Sequence, residues 1–340
     1  MARLIFASAL DRQAKRYAWL RTLLFAVEGF VMRLFWWMFR AVSPERSAAI
    51  GRAVVGTFGP RSAKAPLVQL NLRLAFPALD APSIERLALE TWRSMGLVFG
   101  EYPQLERIAR DRARLVVEDR AGLDRYVRRE RQAIFFGAHL SNWEIMALAL
   151  AREGVPLLAL HAPLTNPHLD KLMSHARTQL GCTMLARGES MRGLITQLRG
   201  GGSIGLLLDL WSDDGEPVEF FGHPMATSLT PARLALRYGC DIVPMRTQRI
   251  GPARFRVTAY PPVALDGPGA DEHVDARAAD HAADEQAGSE HARVLAITRR
   301  LNAHMEEWIR AEPHEWMCAN RRWDKSLYRA LRKAGKGKKR

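Results

Sequence analysis

The sequence predicts an α/β fold with a mostly parallel central sheet flanked by helices, preceded by an N-terminal amphipathic or hydrophobic membrane-anchor helix. Three observations lead to this prediction. Short apolar runs alternate with helical segments from about residue 131 onward, an apolar stretch lies near the N-terminus, and the composition, 48% hydrophobic and 25% charged, is ordinary for a globular protein. At 340 residues the chain is long enough for one large core or two domains.

The N-terminal apolar stretch, Leu23 to Phe39, is about as long as the shortest membrane span, but it contains Glu28 and Arg33. On a helical wheel the charged residues of this region fall within one arc and most apolar residues fall on the other side. We therefore predict a helix that lies on the membrane surface or is shallowly inserted. The alternative is a helix buried by the rest of the fold, and length and charge alone do not decide whether the helix spans the bilayer.

The second half of the chain alternates between buried-type strands and helices. Continuous short apolar strands of this kind are typical of a parallel sheet that is covered on both faces. The predicted strands are Ala133 to Phe136, Pro156 to Leu160, Thr183 to Leu185, Ile204 to Leu208, Ile242 to Met245 and Phe255 to Ala259. The predicted helices between them are Trp143 to Arg152, His168 to Leu180, Ser190 to Arg199 and Pro231 to Tyr238.

The chain is strongly basic, with 50 Lys and Arg against 36 Asp and Glu and a formal net charge of +14. Such a balance favours an anionic partner: nucleic acid, a phospholipid surface or an acidic carrier protein. We predict three parts, namely a membrane-associated helix in residues 1–45, an α/β domain in residues 46–328 and a basic disordered tail in residues 329–340. Three widely separated cysteines and the lack of a cleavable signal pattern indicate a reduced, cytosol-facing chain.

The most informative local pattern is a buried-type strand that runs through Gly137 into His139 and then into a helix near Glu144. A histidine at the carboxyl edge of such a sheet lies where ligands bind in open α/β folds. A turn after His139 would fold Glu144 back to the imidazole, as a base and its orienter. The alternatives are a structural histidine and a capping box in which Glu144 satisfies a backbone N–H.

The segment Gly137 to Glu144 resembles the His-x4-Glu/Asp signature of the bacterial lipid A biosynthesis (late) acyltransferase family, part of the lysophospholipid and glycerolipid acyltransferases. The resemblance covers roughly Trp19 to Lys325. Its further elements, in order along the chain, are Asn71-Leu72, Phe76-Pro77, Arg187, Asp209, Phe220 to Thr227, Glu315-Trp316 and Asn320 to Trp323.

Four positions depart from the family pattern. Leu210 stands where the family usually has Gln, Trp211 occupies a commonly polar position, Thr230 replaces a usual Gly and Asn320 replaces a frequent His. Because these positions lie in downstream loops, the resemblance supports the reaction type more strongly than the acceptor.

The resemblance implies that His139 is the general base and that Glu144 holds its tautomer, since an activated thioester needs mainly deprotonation of the attacking group and stabilisation of an oxyanion. Substrate binding is implied for Arg187, Asp209, Phe221, Gly222, Arg321 and Arg322, the arginines meeting phosphate. The ordinary alternative for Arg187 is a surface arginine, and for Asp209 a turn-forming aspartate. For Phe221 with Gly222 it is a packed aromatic turn, and for Arg321 with Arg322 a solvated basic pair.

We expect no metal and no cofactor beyond acyl carrier protein (ACP) or CoA as the carrier of the donor acyl chain. The expected partners are acyl carrier protein, anionic membrane lipids and a lipid or saccharolipid acceptor such as a lipid A precursor, at the inner membrane with the catalytic domain facing the cytoplasm. Nucleic acid is not expected, because no binding motif accompanies the charge. Two other hypotheses stay open: a non-catalytic scaffold of the same fold and a basic nucleic-acid-binding protein.

Overall fold

A twisted α/β sheet with helices on both sides forms the body of the molecule. The computed structural model describes residues 16–186, 190–265 and 282–337. The helices are α1 (Ala18–Arg40), α2 (Pro44–Phe58), α3 (Ala65–Ala75), α4 (Ala81–Glu101), α5 (Leu105–Arg110), α6 (Asp124–Val127), α7 (Glu144–Arg152), α8 (Pro167–Arg177), α9 (Ser190–Arg199), α10 (Thr230–Tyr238), α11 (Ala282–Ala311) and α12 (Lys325–Gly337). The strands are β1 (Leu115–Asp119), β2 (Ala133–Gly137), β3 (Leu157–His161), β4 (Thr183–Ala186), β5 (Ser203–Leu207), β6 (Glu216–Phe220), β7 (His223–Thr227), β8 (Asp241–Gly251) and β9 (Arg254–Ala259).

Seven strands form the main sheet in the order β1-β9-β8-β2-β5-β3-β4. Every neighbouring pair is parallel except β8 and β9, which form an antiparallel hairpin. The predicted α/β class with a mostly parallel sheet is therefore confirmed. All six predicted strands are present, but β1, β6 and β7 were not predicted, because their polar residues break the apolar pattern of a buried strand.

Strand β2 lies in the middle of the sheet and contributes to both layers of the core. All five of its residues are buried. Phe136 packs in the core on one face with Trp308 of α11, and Phe135 packs on the other face with Tyr126 and Ile145. Side chains alternate between faces along a strand, so this one segment needs an apolar residue at every position. Burial of each phenylalanine contributes about 1.5–3 kcal/mol.

The two-stranded β6–β7 hairpin turns at Phe221 and Gly222, whose φ angles are +52° and +72°. Two successive positive φ values are typical of the tight hairpin turn whose twist matches the strands. Gly222 adopts this conformation without a steric cost, whereas Phe221 does so while its ring is buried.

The four N-terminal helices, α1 to α4, precede the first strand of the sheet in the chain and pack on the body of the molecule. Helices α2 and α4 approach so closely that a Cβ on Gly51 would lie 2.2 Å from the carbonyl oxygen of Gly96. Such contact needs glycine at both positions, and it fixes α4, which carries several side chains of the site described below.

The predicted division into three parts stays a prediction. Helix α2 (Pro44–Phe58) runs across the predicted boundary at residue 45, and α12 (Lys325–Gly337) runs across the boundary at residue 328. The good helix formers Arg, Leu, Lys and Ala within α12 account for helical backbone where we predicted a disordered tail.

Candidate active site

The ends of two neighbouring parallel strands bring His139 and Asp209 together. Gly137 ends β2 and pairs with Leu207, which ends β5. The pairing continues one residue further, because the N–H of Leu208 donates to the carbonyl oxygen of Gly137 at 3.1 Å. His139 and Asp209 each follow two residues after their strand, so the sheet register places them side by side at its carboxyl edge, where open α/β sheets bind ligands.

The imidazole of His139 is hydrogen-bonded to the Asp209 carboxylate. The Nδ1 atom lies 2.6 Å from Oδ1 of Asp209, and the backbone N–H of His139 donates to the same oxygen at 3.0 Å. The side chain of His139 is 15% exposed and that of Asp209 is 0% exposed. With Nδ1–H directed at the carboxylate, the lone pair of the neutral imidazole is on Nε2, which is the nitrogen left to act as a base.

Asp209 is also held by two residues from the C-terminal part of the chain. The indole N–H of Trp316 donates to Oδ2 at 3.0 Å, and Nη2 of Arg322 lies 3.0 Å from the same oxygen. Burial raises the pKa of Asp209, but the charges of Arg322 and His139 outweigh burial and hold that pKa well below its usual range. Asp209 is therefore a carboxylate at neutral pH.

Arg322 was expected to meet a phosphate, and the structure places its side chain against Asp209 instead. Arg322 is completely buried, its Nη2 donates to the carbonyl oxygen of Met317 at 2.8 Å, and its guanidinium lies 5.4 Å from the ring centroid of Trp316. A guanidinium in this position cannot reach a substrate in solvent. The local sequence does not reveal this burial, because arginine is usually exposed.

The segment that carries Arg322 is itself fixed by Asn71 of α3 and Tyr328 of α12. The backbone N–H of Arg322 donates to the hydroxyl of Tyr328 at 3.0 Å, and that hydroxyl donates to Oδ1 of Asn71 at 2.6 Å. The Nδ2 of Asn71 donates to the carbonyl oxygens of Cys318 and Asn320 at 2.6 Å and 2.8 Å. Three distant parts of the sequence thus combine to hold the partner of Asp209.

Glu144 belongs to a second buried polar group beside the first. Its Oε1 accepts hydrogen bonds from Nε and Nη2 of Arg177, each at 2.9 Å, and from the hydroxyl of Tyr102. Burial and the charge of Glu144 raise the pKa of Tyr102 well above its usual range. Burial lowers the pKa of Arg177, but Tyr102 and Glu144 outweigh it and raise that pKa, so Arg177 stays charged and Tyr102 stays neutral beside Glu144.

The predicted contact between Glu144 and His139 is not seen among the described residues. Instead, His139 pairs with Asp209, and Glu144 pairs with Arg177 and Tyr102. Within the described residues, the imidazole pairs with Asp209 and contacts the indole of Trp143 at a centroid distance of 5.1 Å. The chain reverses at Ser141, where φ is +51°, before α7 begins at Glu144. The Glu144 carboxylate consequently meets α8 rather than the histidine.

An apolar cavity of about 430 Å³ lies next to both groups. Trp143, which contacts His139, and Arg177, which is paired with Glu144, both line it. The rest of the lining is almost wholly hydrophobic and comes mainly from α1, α4, α8 and the loop after β3. Its residues include Met32, Phe35, Trp36, Phe39, Trp92, Met95, Phe99, Leu164, Leu172 and Met173.

The other predicted site residues have different surroundings. Arg187 lies outside the described residues. Phe221 is buried, and its ring stacks on that of Trp316 at a centroid distance of 6.0 Å. Its backbone N–H donates to Glu306 at 2.7 Å. Phe221 therefore anchors the hairpin turn in the core, while its neighbour Gly222 is exposed. Arg321 is partly exposed, and its guanidinium lies 4.1 Å from the ring centroid of Trp211. Arg321 is thus the one of the two adjacent arginines that can meet a ligand.

Sequence reasoning did not find Tyr102, Arg177 and the role of Trp316. Arg177 is the last residue of α8 and has no local motif around it, and Tyr102 follows the end of α4. Only their packing on Glu144 brings them to the cavity beside the His139–Asp209 pair. The described residues contain no group of three or more His, Cys, Asp or Glu that could hold a metal ion.

Comparison with known families gives one match. The model of the bacterial lipid A biosynthesis acyltransferase family matches residues 14–325, which is most of the chain. None of the curated proteins matches the chain.

Proposed function

Because the chain belongs to the bacterial lipid A biosynthesis acyltransferase family, we propose that it moves a fatty acyl chain from a carrier thioester to a hydroxyl or amine of a saccharolipid acceptor such as a lipid A precursor. The family makes the chain an acyltransferase with a lipid-type acceptor. The observation that carries the finer proposal is the hydrogen-bonded pair of His139 and Asp209 beside an apolar cavity.

In this proposal His139 is the general base. Its Nε2 takes the proton of the acceptor hydroxyl as the hydroxyl oxygen attacks the thioester carbonyl carbon. The tetrahedral intermediate then collapses, the carbon–sulfur bond breaks, and the imidazolium returns the proton to the leaving thiolate. Asp209 orients the ring and stabilises the imidazolium, and positioned base catalysis of this kind contributes about 10²- to 10⁴-fold in rate.

Arg177 supplies the positive charge that the reaction needs at the carbonyl oxygen. Its guanidinium lines the cavity and is held by two hydrogen bonds to Glu144. A fixed cation in an apolar site stabilises a developing oxyanion better than it would in water. Glu144 then acts through Arg177 as a positioning residue, and not through His139.

The apolar cavity holds the acyl chain. Its lining is almost wholly aromatic and aliphatic, and its charged and hydroxyl groups, Arg177 and Tyr102, lie at the end near Glu144. A fatty acyl chain fits this arrangement, with its thioester at the polar end and its hydrocarbon along the apolar walls. Methionines let such a wall adapt to a flexible chain.

The donor and the location follow from charge. The net charge of +14 suits acyl carrier protein, which is acidic, as it also suits the phosphates of CoA, and it favours anionic lipids at the cytoplasmic face of the inner membrane. Arg321, supported on Trp211, is the residue that we assign to a phosphate of the acceptor or the carrier. No step in this chemistry requires a metal.

Mass spectrometry of total lipids tests the proposal. Cells of the source organism that lack the protein are complemented with the wild type, with His139→Ala or with His291→Ala, a control at a half-exposed histidine on α11. We expect a lipid that is heavier by one acyl chain to return with the wild type and the control only. If His139→Ala restores the lipid equally well, the base is not His139; if no lipid changes, the scaffold or nucleic-acid hypothesis replaces acyl transfer.

A further inference from the structure

Helix α1 (Ala18–Arg40) has its apolar side facing outward. Eight large hydrophobic residues on it are exposed, and seven of them fall, at 100° per residue, within an arc of roughly 100° that runs the whole length of the helix. These seven residues form what we call the outer stripe: Trp19, Leu23, Val27, Phe30, Leu34, Trp37 and Met38. α1 is also the one helix in the described part of the chain that is long and apolar enough to cross a membrane.

The side of α1 that faces the protein is the one with the polar contacts. Glu28 is 3% exposed and accepts a hydrogen bond from Nδ2 of Asn166 at 3.1 Å, and the same Nδ2 atom lies 3.0 Å from the carbonyl oxygen of Phe25. Gly29 is so close to α8 that a Cβ there would lie 2.5 Å from Cβ of His168. This is the reverse of a helix on a water-facing surface, which buries its apolar side.

The contact with the protein body continues to the end of the helix. Phe39 is buried, and Nε2 of Gln104 donates to its carbonyl oxygen at 2.5 Å. Residues 25–39 are therefore docked, and at 1.5 Å per residue they cover about 21 Å of a helix that is about 34 Å long. A hydrocarbon core is about 30 Å thick, so α1 cannot cross it without carrying the docked body into the lipid.

The body beside α1 is unsuited to lipid. Helix α8 presents the exposed side chains of His168, Lys171 and His175. A charged side chain at the centre of a bilayer costs at least about 2.5–3.5 kcal/mol. A flat orientation of α1 keeps these residues in water and still buries the outer stripe, whereas a spanning orientation does not.

From this geometry we propose that α1 lies flat in the interface of an anionic phospholipid bilayer, with the outer stripe in the acyl region and the docked side turned to the protein. Arg33 and Arg40 are exposed and border the outer stripe on the wheel; Arg40 is paired with Glu106 at 2.7 Å, so Arg33 is the one whose guanidinium is placed to reach lipid phosphates. Each basic residue near an anionic surface contributes about 1 kcal/mol of attraction. The proposal rests on the membrane association that the proposed function includes, and it is independent of the chemistry at His139.

The flat orientation also places the apolar cavity at the level of the lipid. Phe35 of α1 and Leu164 of the loop after β3 line the cavity and are 37% and 42% exposed at the surface. The cavity therefore reaches the surface beside the outer stripe. The lipid acceptor can then approach the cavity from the bilayer without crossing water.

Spin-label depth measurements test the orientation. Single cysteines replace Leu23, Phe30 or Trp37 in the full chain with Cys182→Ser, since Cys240 and Cys318 are buried. The proteins are bound to vesicles of phosphatidylcholine with about one-third phosphatidylglycerol, near the charge of an anionic leaflet. Depth is read from collisions with oxygen and with a water-soluble nickel complex, and Lys171→Cys on α8 is the control label.

We expect the three α1 labels at nearly equal depth, about 5–10 Å below the headgroups, and the control label in water. A deep label at residue 30 with shallow labels at residues 23 and 37 would mean a spanning helix and overturn the proposal, as would three water-accessible labels. An acyl-transfer assay on the same samples tests the proposed function separately from the orientation of α1. If the three labels lie at equal depth but no acyl transfer occurs, the flat orientation is supported and the proposed chemistry is refuted.

Discussion

The Nδ1 atom of His139 lies 2.6 Å from the Oδ1 atom of Asp209, 70 positions away in the chain. The distance follows from the parallel pairing of β2 with β5, whose last partners are Gly137 and Leu207. A histidine whose Nδ1 is fixed in this way presents Nε2 as the base. The account of the site therefore depends on Asp209 as much as on the histidine of the His-x4-Glu segment.

Asp209→Asn is expected to lower kcat/KM for acyl transfer about 10²- to 10⁴-fold, because the amide no longer stabilises the imidazolium or fixes the tautomer. The acid limb of the pH–rate profile should also move to lower pH, since removing a negative charge disfavours protonation of the ring. Steady-state kinetics from about pH 5 to 9 measure both effects near the range in which histidines titrate. Asp214→Asn, an exposed aspartate on the same loop, is the control and should match the wild type.

Replacing Arg322 should move the same limb in the opposite direction. In Arg322→Met the carboxylate of Asp209 loses its nearest cation, so the imidazolium is favoured and the acid limb moves to higher pH. Breaking this buried pair should also reduce the free energy of unfolding by about 3–5 kcal/mol. An unchanged limb in a folded Met variant would show that Arg322 does not act through Asp209.

Arg322→Lys is the matched variant for that experiment. Only Nη2 of the guanidinium makes hydrogen bonds with described residues, so a lysine ammonium can replace the charge, although it makes fewer contacts. We expect its pH limb to stay near that of the wild type while its thermal stability falls. Thermal unfolding and the pH–rate profile together separate the electrostatic effect from the structural one.

The low pKa of Asp209 also predicts how stability depends on pH. A carboxylate whose pKa is lowered on folding stabilises the protein fully above its unfolded pKa of about 3.9 and loses that contribution as the pH falls through the lower, folded value. The difference in unfolding free energy between the wild type and Asp209→Asn should thus be constant near neutrality and shrink below about pH 4. Urea unfolding at a series of pH values measures it; a constant difference down to pH 2 would contradict the assignment.

Glu144→Gln is expected to lower kcat about 10²- to 10³-fold, because Arg177 loses the charge that holds it at the cavity. Its acid limb should shift far less than that of Asp209→Asn, since the described partner of Glu144 is Arg177 and not His139. The pH–rate profile distinguishes this role from the one that the sequence predicted. A shift as large as that of Asp209→Asn would restore Glu144 as the partner of His139.

The cavity predicts the acyl-chain selectivity. Leu172→Trp adds a large side chain to the apolar wall, so the longest acyl chains accepted by the wild type should lose about 10-fold or more in kcat/KM relative to shorter ones. A series of acyl carrier thioesters of increasing chain length measures the preference. Leu79→Trp, at an exposed leucine between α3 and α4, is the control and should leave the preference unchanged.

The sequence predicted the parts of the fold and site that depend on local pattern. The apolar run that becomes β2, the helix at Glu144 and His139 at the strand end are all visible within about ten residues. The partner of His139 is not, because it depends on which strands are neighbours and on their register. Asp209 was predicted as a site residue, but its pairing requires that Leu207 lie opposite Gly137.

Burial of charged residues was the second thing that the pattern did not reveal. Arg321 and Arg322 are adjacent and chemically identical, yet one lies on the face of Trp211 and the other is completely buried against Asp209. Arg177 likewise is held at the cavity only through Tyr102 and Glu144, which come from distant segments. Residue type predicts the usual environment of a side chain, and these residues are exceptions that packing creates.

The most direct test of the central claim is a single-turnover transfer assay with the purified protein in anionic vesicles, acyl carrier thioester as donor and a lipid A precursor as acceptor. Product mass is followed over time for the wild type, His139→Ala and Asp209→Asn. The account predicts an acceptor that gains one acyl chain, at a rate reduced about 10²- to 10⁴-fold in both variants. Transfer at the wild-type rate in His139→Ala would contradict it.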